Sequence, residues 1–367
     1  MDRSIKNFYL NVELTTSNFL EKLRKKNNYC YLPVLEGATS AGKDLTLGFS
    51  CYALKSYYIL NQGHLDESNK TLWADHINSY QSDDGQFIDP MYVYHMGNVG
   101  FQARSKDLAK NILNMFGKEY VNRKETHINS IRAESKQAIS SLYQIDNKNS
   151  IPYNNFPQNV TDLEKYLMNL NWKKPWSAGA QFAAICVFTK TQITDLNHYE
   201  EYINFFSDFI NKITNENTGG IYEGNISGSE ELINGAMKVI TGFEWIDLKL
   251  THPEKLIDYC LNSKPTQEGC NVVDTIYVLW HCSKQTNYKR LEISNFLIGL
   301  LDIIKLHHFK SGGFSYYLNK SQIYYYGLQI SKGVNTPDLH GTVLFLWALS
   351  MINDVCEFGR EWKTLKA

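Results

Sequence analysis

Two stretches decide the architecture of this chain: WSAGAQFAAICVF (176–188) and PDLHGTVLFLWALSMI (337–352). Both are apolar nearly all the way round, studded with Gly, Ala and Ser, and polar only near their starts. A helix without a polar face has to be buried on every side. Four more stretches read the same way: GKDLTLGFSCYALKSYY from Gly42, IRAESKQAISSLY from Ile131, LINGAMKVITGF from Leu232 and GCNVVDTIYVLWHC from Gly269. Between them lie amphipathic segments, for example at 159–170, 194–214, 252–263 and 288–309, each with one charged side suited to water. Neither kind of helix can bury its apolar surface alone. Six inner helices alternating with outer ones predict an all-α fold, an (α/α)6 toroid forming a single domain over 1–367. An α-solenoid is the rival, and it would show a more regular period.

Composition narrows the function. The 367 residues are 43% apolar and 20% charged, enough to build a packed core without covalent staples. Lys plus Arg is 37 against 38 Asp plus Glu, so the formal charge is −1 and there is no bulk footprint for nucleic acid. Seven scattered cysteines, an odd number with no C-x-x-C, do not make a disulfide framework. The opening MDRSIKNFYLNVELTT has no apolar core of a signal peptide. The longest apolar run, Thr342 to Ile352, falls short of the ~18 residues of a membrane span. A reduced, cytoplasmic protein without a transmembrane segment or a nucleic-acid partner is expected.

A second repeat supports closure of a ring. SYQSDDGQF (79–87), ENTGGIYEG (216–224) and FKSGGFSYY (309–317) each place Gly before an aromatic or Ile-Tyr. Gly85, Gly220 and Gly313 are 135 and 93 residues apart, about three and two units of ~45 residues. Taken singly, each is an ordinary turn glycine.

These turns, Gln81, Gly85 and Phe87 above all, resemble the Gln-rich, Gly-aromatic repeat of squalene cyclases and related class II terpenoid cyclases. VDTIYVLW (273–280) and PDLHGTVLFLWALSMI (337–352) resemble two helices of protein prenyltransferase β-subunits. The resemblance implies a terpenoid cyclase/protein prenyltransferase toroid, with a central cavity opening where the inner helices begin. It also implies chemistry that this chain does not carry intact. Where the prenyltransferases hold zinc, Asp274 matches, but Ile276 replaces the Cys and Gly341 the His, with His340 one residue early. One residue turns a side chain by about 100° around a helix, so no metal and no cofactor are expected. Where the cyclases carry D-x-D-D-T, NVVDT (271–275) keeps Asp274 and Thr275 but has Val273 in place of the proton donor.

Polar residues in the first turns of the six helices are the candidate site. Asp274, Asp338 and His340 are the catalytic candidates. Lys43, Asp44, Arg132, Glu134, Gln137, Gln181, Asn234, Lys238 and Asn271 are candidates for binding substrate, with Trp176, Tyr277, Trp280 and Trp347 as cavity walls. Each has a plainer reading. Asp338 after Pro337 makes a good helix N-cap, His340 a satisfied buried histidine, and the aromatics ordinary core. Asp274, one turn into an apolar helix, has to be paired or protonated. GATSAGKD (37–44) imitates a phosphate loop but ends in Asp and lacks a βαβ context. Asp83, Asp84 and Asp89 imitate a carboxylate cluster in a turn that favours Asp anyway.

Three functions stay open. The favoured one is an isoprenoid enzyme, cyclase- or transferase-like, using Asp274 as the acid, assisted by Asp338 and His340, and aromatics to stabilise a carbocation. Another is a carbohydrate-active toroid (glycoside hydrolase, uronate lyase or epimerase) acting on a sugar. The third is an inactive toroid that binds or scaffolds.

Overall fold

A computed structural model describes residues 3–26, 28–62, 65–97, 123–226 and 228–367. Fourteen helices and one two-stranded hairpin are found among them. They are α1 (Arg3–Leu23), α2 (Ser40–Asp44), α3 (Leu47–Leu60), α4 (Glu67–Asn78), α5 (Pro90–Gly97), α6 (Arg123–Gln144), α7 (Val160–Met168), α8 (Pro175–Gln192), α9 (Leu196–Ile213), α10 (Ser229–Ile246), α11 (Pro253–Leu261), α12 (Gly269–Ser283), α13 (Arg290–His307), the hairpin β1 (Tyr324–Tyr325) and β2 (Leu328–Gln329), and α14 (Leu339–Val355). The all-α expectation holds.

The six stretches without a polar face become α3, α6, α8, α10, α12 and α14. α3 packs on α6, α6 on α8, α8 on α10, α10 on α12, α12 on α14, and α14 returns to α3. Small residues allow the tightest of these approaches. A Cβ on Gly235 of α10 would lie 2.5 Å from Pro175 Cβ of α8, and one on Gly242 3.0 Å from Ala183 Cα. The amphipathic helices add a second set of contacts: α9 on α7 and α8, α11 on α10 and α12, and α13 on α12 and α14. Their burial is one-sided. α9 buries Tyr202, Phe206, Phe209 and Ile210, a single stripe at helical spacing, and starts at Asp195, whose side chain accepts from His198 N at 2.8 Å.

Two helix boundaries differ from the sequence expectation. The stretch from Gly42 breaks at Leu45, which is extended, leaving α2 separate from α3. The cause is distant in sequence: the buried Asp89 carboxylate accepts from Thr46 N at 2.7 Å and Leu47 N at 3.0 Å, capping α3 there. Asp89 is therefore a cap and not part of a cluster with Asp83 and Asp84. The stretch expected from Ile131 begins at Arg123. Its polar first turns hide it from periodicity, and Arg132 and Glu134 consequently sit in mid-helix.

The three Gly-aromatic turns do repeat. Each is closed by an antiparallel bridge, Gln81 to Phe87, Thr214 to Ile221 and His308 to Phe314. In the first, Gln81 donates to Gly85 O (2.9 Å) and Ile151 O (2.6 Å) and accepts from Ile151 N (2.8 Å). Gly85 has φ +83°, and a Cβ there would meet Pro152 O at 2.2 Å. In this first turn Gln81 and Gly85 are clamps that join the turn to the segment around Ile151 and Pro152.

After α14 the chain recrosses the C-terminal ends of the inner helices. Lys363 N donates to Ile59 O of α3 (2.8 Å), Lys366 exchanges hydrogen bonds with the Gln144 side chain of α6, and Trp245 Nε1 of α10 donates to Ala367 O (2.6 Å). No helix among the described residues is long and apolar enough to cross a membrane.

Candidate functional site

A cavity of about 560 Å³ lies among α3, α6, α8, α10 and α14. Trp176, 47% exposed, and Gly327 line its outer part, while Ser140, Ala184, Trp347 and Leu365 are buried at its inner part. Tyr326 reaches the wall from the hairpin turn. Tyr326 and Gly327 both have positive φ (44° and 84°), the arrangement of a tight two-residue hairpin in which tyrosine is an unusual choice. Tyr325 beside it is anchored by a hydroxyl hydrogen bond to the Glu134 carboxylate of α6.

The wall carries four basic side chains. Arg132, Lys136 and Ser140 follow one another at four-residue spacing, so they share one face of α6. Arg132 Nη1 donates to Asn129 Oδ1 (3.1 Å) and Gln181 Oε1 (2.6 Å), and its guanidinium lies 5.6 Å from the Tyr166 ring centre. Lys55 Nζ donates to Ser140 Oγ at 2.9 Å. Lys238 Nζ sits 5.8 Å from the Trp176 ring centre. Among the described residues none of the four forms a salt bridge, and no Asp or Glu lines the cavity. Burial, with repulsion from Lys238 and Lys55 added, lowers Lys136 to about 7. Burial lowers Lys55 to about 8. Lys136 is thus a free amine in a large fraction of molecules at neutral pH.

His340 faces the same space. Its imidazole is sandwiched between the rings of Tyr52 and Tyr316, with both centroid distances 4.9 Å and interplanar angles of 11° and 14°. Nδ1 is buried without a hydrogen-bond partner. Burial, and secondarily the Lys238 charge, lowers its pKa to about 3, so the ring is neutral. Burial also holds the Tyr52 hydroxyl well above its usual range, hence protonated.

Six of the residues expected from sequence line this cavity: Arg132, Gln137, Trp176, Gln181, Lys238 and His340, together with Trp347 as a wall. The other expected residues lie elsewhere. Asp274 is buried beside the cavity, its Oδ2 without a partner and its carboxyl pushed up to about 6 by burial. Asp338 is an N-cap: Oδ1 accepts from Gly341 N (2.7 Å), and Oδ2 from Tyr316 N (2.7 Å) and Gln322 N (3.0 Å). Glu134 is buried against Tyr325, and burial raises it to about 8. Tyr277 donates to Glu244 (2.8 Å) and Trp280 to Asp354 (2.6 Å), so these aromatics belong to the packing of α12. Asn234 Nδ2 donates to Asn271 Oδ1 at 2.8 Å, joining α10 to α12 outside the cavity. Lys43 is exposed, and Asp44 pairs with His95 at 2.9 Å. Gly341 has its own reason: a Cβ there would lie 2.4 Å from Tyr316 N, so no histidine fits.

Sequence reasoning missed Tyr52, Lys55, Lys136 and Tyr326. A signal existed for the two lysines, each set among apolar and small residues in SCYALKSYY and RAESKQAISS. A lysine in such a setting has to reach a polar partner or a cavity.

No known family model matches the sequence, and no curated protein matches it either. A solved polysaccharide lyase structure is similar with a TM-score of 0.42 and 13% identity, over 86% of this chain and 91% of that one. A likeness at that level is too distant to bear on fold or activity.

Proposed function

We propose that the six inner helices close into an (α/α)6 toroid, and that its cavity belongs to a carbohydrate-active enzyme that cleaves an acidic oligosaccharide by elimination. The observation that carries this reading is the set of four basic side chains, Lys55, Arg132, Lys136 and Lys238, facing one cavity with no Asp or Glu among its described lining residues. Basic side chains gathered in one buried wall repel one another and suffer from burial. A bound anion relieves both costs. The aromatic walls offered by Trp176, Trp347, Tyr52 and Tyr326 suit the flat faces of sugar rings.

The same arrangement is poor for the alternatives. Glycoside hydrolysis uses two carboxyl groups flanking the bond, and neither Asp274, Asp338 nor Glu134 lines this cavity. A terpenoid carbocation needs apolar, electron-rich surroundings, whereas four basic side chains raise its energy.

In a uronate the proton beside the carboxylate becomes acidic when that carboxylate is neutralised, which Arg132 and Lys238 are placed to do. The free amine of Lys136 takes the proton. The electron pair forms a carbon–carbon double bond as the bond to the glycosidic oxygen breaks. Tyr52 or Tyr326 returns a proton to the departing oxygen, and no outside oxidant or water is consumed. A base with pKa near the working pH is the efficient choice.

The test is incubation with polyuronates, reading the ultraviolet absorbance of the conjugated unsaturated product. Turnover is expected, with Lys136→Met losing on the order of 10²–10⁴-fold and Arg132→Met acting mainly on KM. Products whose new non-reducing ends are saturated, or binding of prenyl diphosphates without any response to uronates, would overturn the reading.

A further inference from the structure

The geometry points to a cavity that binds the end of an acidic chain and not its middle; this rests on the acidic-oligosaccharide reading above. Two observations carry it. The first is the floor. Leu365 and Ala367 line the inner part of the cavity, and their segment is tied to the C-terminal turns of three inner helices by hydrogen bonds to Ile59, Gln144 and Trp245. Trp362 anchors it further, in contact with Tyr9 at 5.1 Å between ring centres and hydrogen-bonded to Glu13. A polymer cannot thread through a ring closed in this way.

The second is the direction of the basic side chains. Arg132 and Lys136 are one helical turn apart on α6, and Ser140, one turn further, holds Lys55. At 1.5 Å per residue the two steps from Arg132 to Ser140 climb about 12 Å along the wall. The spacing runs from the outer part of the cavity toward the floor, parallel to α6. A ligand entering end-on meets Arg132, Lys136 and Lys55 in succession, whereas one lying across the mouth meets the outermost alone. The volume, about 560 Å³, accommodates a few sugar units at most. The enzyme would therefore trim acidic chains from one terminus.

The experiment titrates the full-length protein calorimetrically with galacturonate, glucuronate-containing and mannuronate chains, each as short oligomers and as long polymer at equal uronate mass. End binding predicts that the protein saturates in proportion to the number of chain ends, so that polymer tenfold longer carries about tenfold fewer sites. Product profiles should show one short product from the first minutes. Saturation in proportion to uronate mass, with mid-sized fragments appearing early, would overturn end binding and leave the elimination reading standing. Absence of binding by all three chemistries would overturn both. An Ala184→Phe substitution, which fills the floor, should weaken oligomer binding at least tenfold; unchanged affinity in a folded variant would also count against the proposal.

Discussion

The imidazole of His340 and the ring of Tyr52 lie face to face, 4.9 Å apart and 11° from parallel, with Tyr316 on the other side of the same imidazole. A histidine held between two rings is kept neutral by its surroundings. Its pKa is about 3 in the folded protein against an ordinary 6.5, so the unfolded chain binds the proton more readily. Stability from this group is present above pH 6.5 and is lost as pH falls toward 3. Between pH 6.5 and 5 the loss amounts to roughly 2 kcal/mol. Urea unfolding of wild type and His340→Gln at pH 7 and pH 5 should show the wild type losing more; parallel losses would refute this.

Glu134 has the opposite sign. Its carboxyl is raised to about 8 by burial, against the Tyr325 hydroxyl that favours the charged form. The contribution to stability is complete below pH 4.5 and declines as pH rises toward 8. Glu134→Gln keeps the oxygen that accepts from Tyr325 and removes the titration. The variant should match wild type near pH 4.5 and exceed it by about 1–3 kcal/mol at pH 8, as read by denaturant midpoints. A less stable variant at pH 8 would mean that the charge is needed.

Lys136 is held down partly by Lys238. Lys238→Met removes that repulsion and should raise the Lys136 pKa by about half a unit to one unit, seen in an NMR titration of the lysine ε-carbons. The same variant should be at least as stable as wild type and bind anions less well, because the cation that strains the empty cavity is the one that holds the ligand. An unmoved Lys136 titration would show that Lys238 has no part in setting its value.

Asp338 and Gly341 form one device at the start of α14. Three backbone N–H groups end on the Asp338 carboxylate, and the close approach of Tyr316 N requires Gly341 to lack a Cβ. Asp338→Ala should cost about 2–4 kcal/mol by leaving buried donors unsatisfied. Gly341→Ala should cost ~2 kcal/mol or more because backbone has to move. Thermal denaturation of both variants checks this; a cost under half a kcal/mol in either would contradict the geometry.

Much of the site was legible, for identifiable reasons. Lys238, Arg132 and Gln181 stood out because polar groups interrupt otherwise apolar helices, and all three line the cavity. Tyr277 and Trp280 stood out as aromatic walls and do not line it: Glu244 and Asp354 supply their hydrogen-bond partners from other helices. Asp338 read equally well as acid or cap, and the donors that decide it come from residues 316, 322 and 341. The signal at Lys136 was masked because the sequence places the start of its helix eight residues late, making it look like part of a solvated first turn.

The sequence by itself determined which helices are buried, since a segment such as FAAICVF (182–188) has no side that water can solvate. It also determined the turns that join them, through glycines whose positive φ other residues resist. Only the tertiary structure decided which polar groups meet. The gathering of Lys55, Arg132, Lys136 and Lys238 depends on the relative rotation of three helices, α3, α6 and α10, and a rotation of 100° per residue turns a cavity lining into a core contact. The charge state of each group followed from that placement, because burial and neighbouring charges set a pKa, and neither is a property of the chain read one residue at a time.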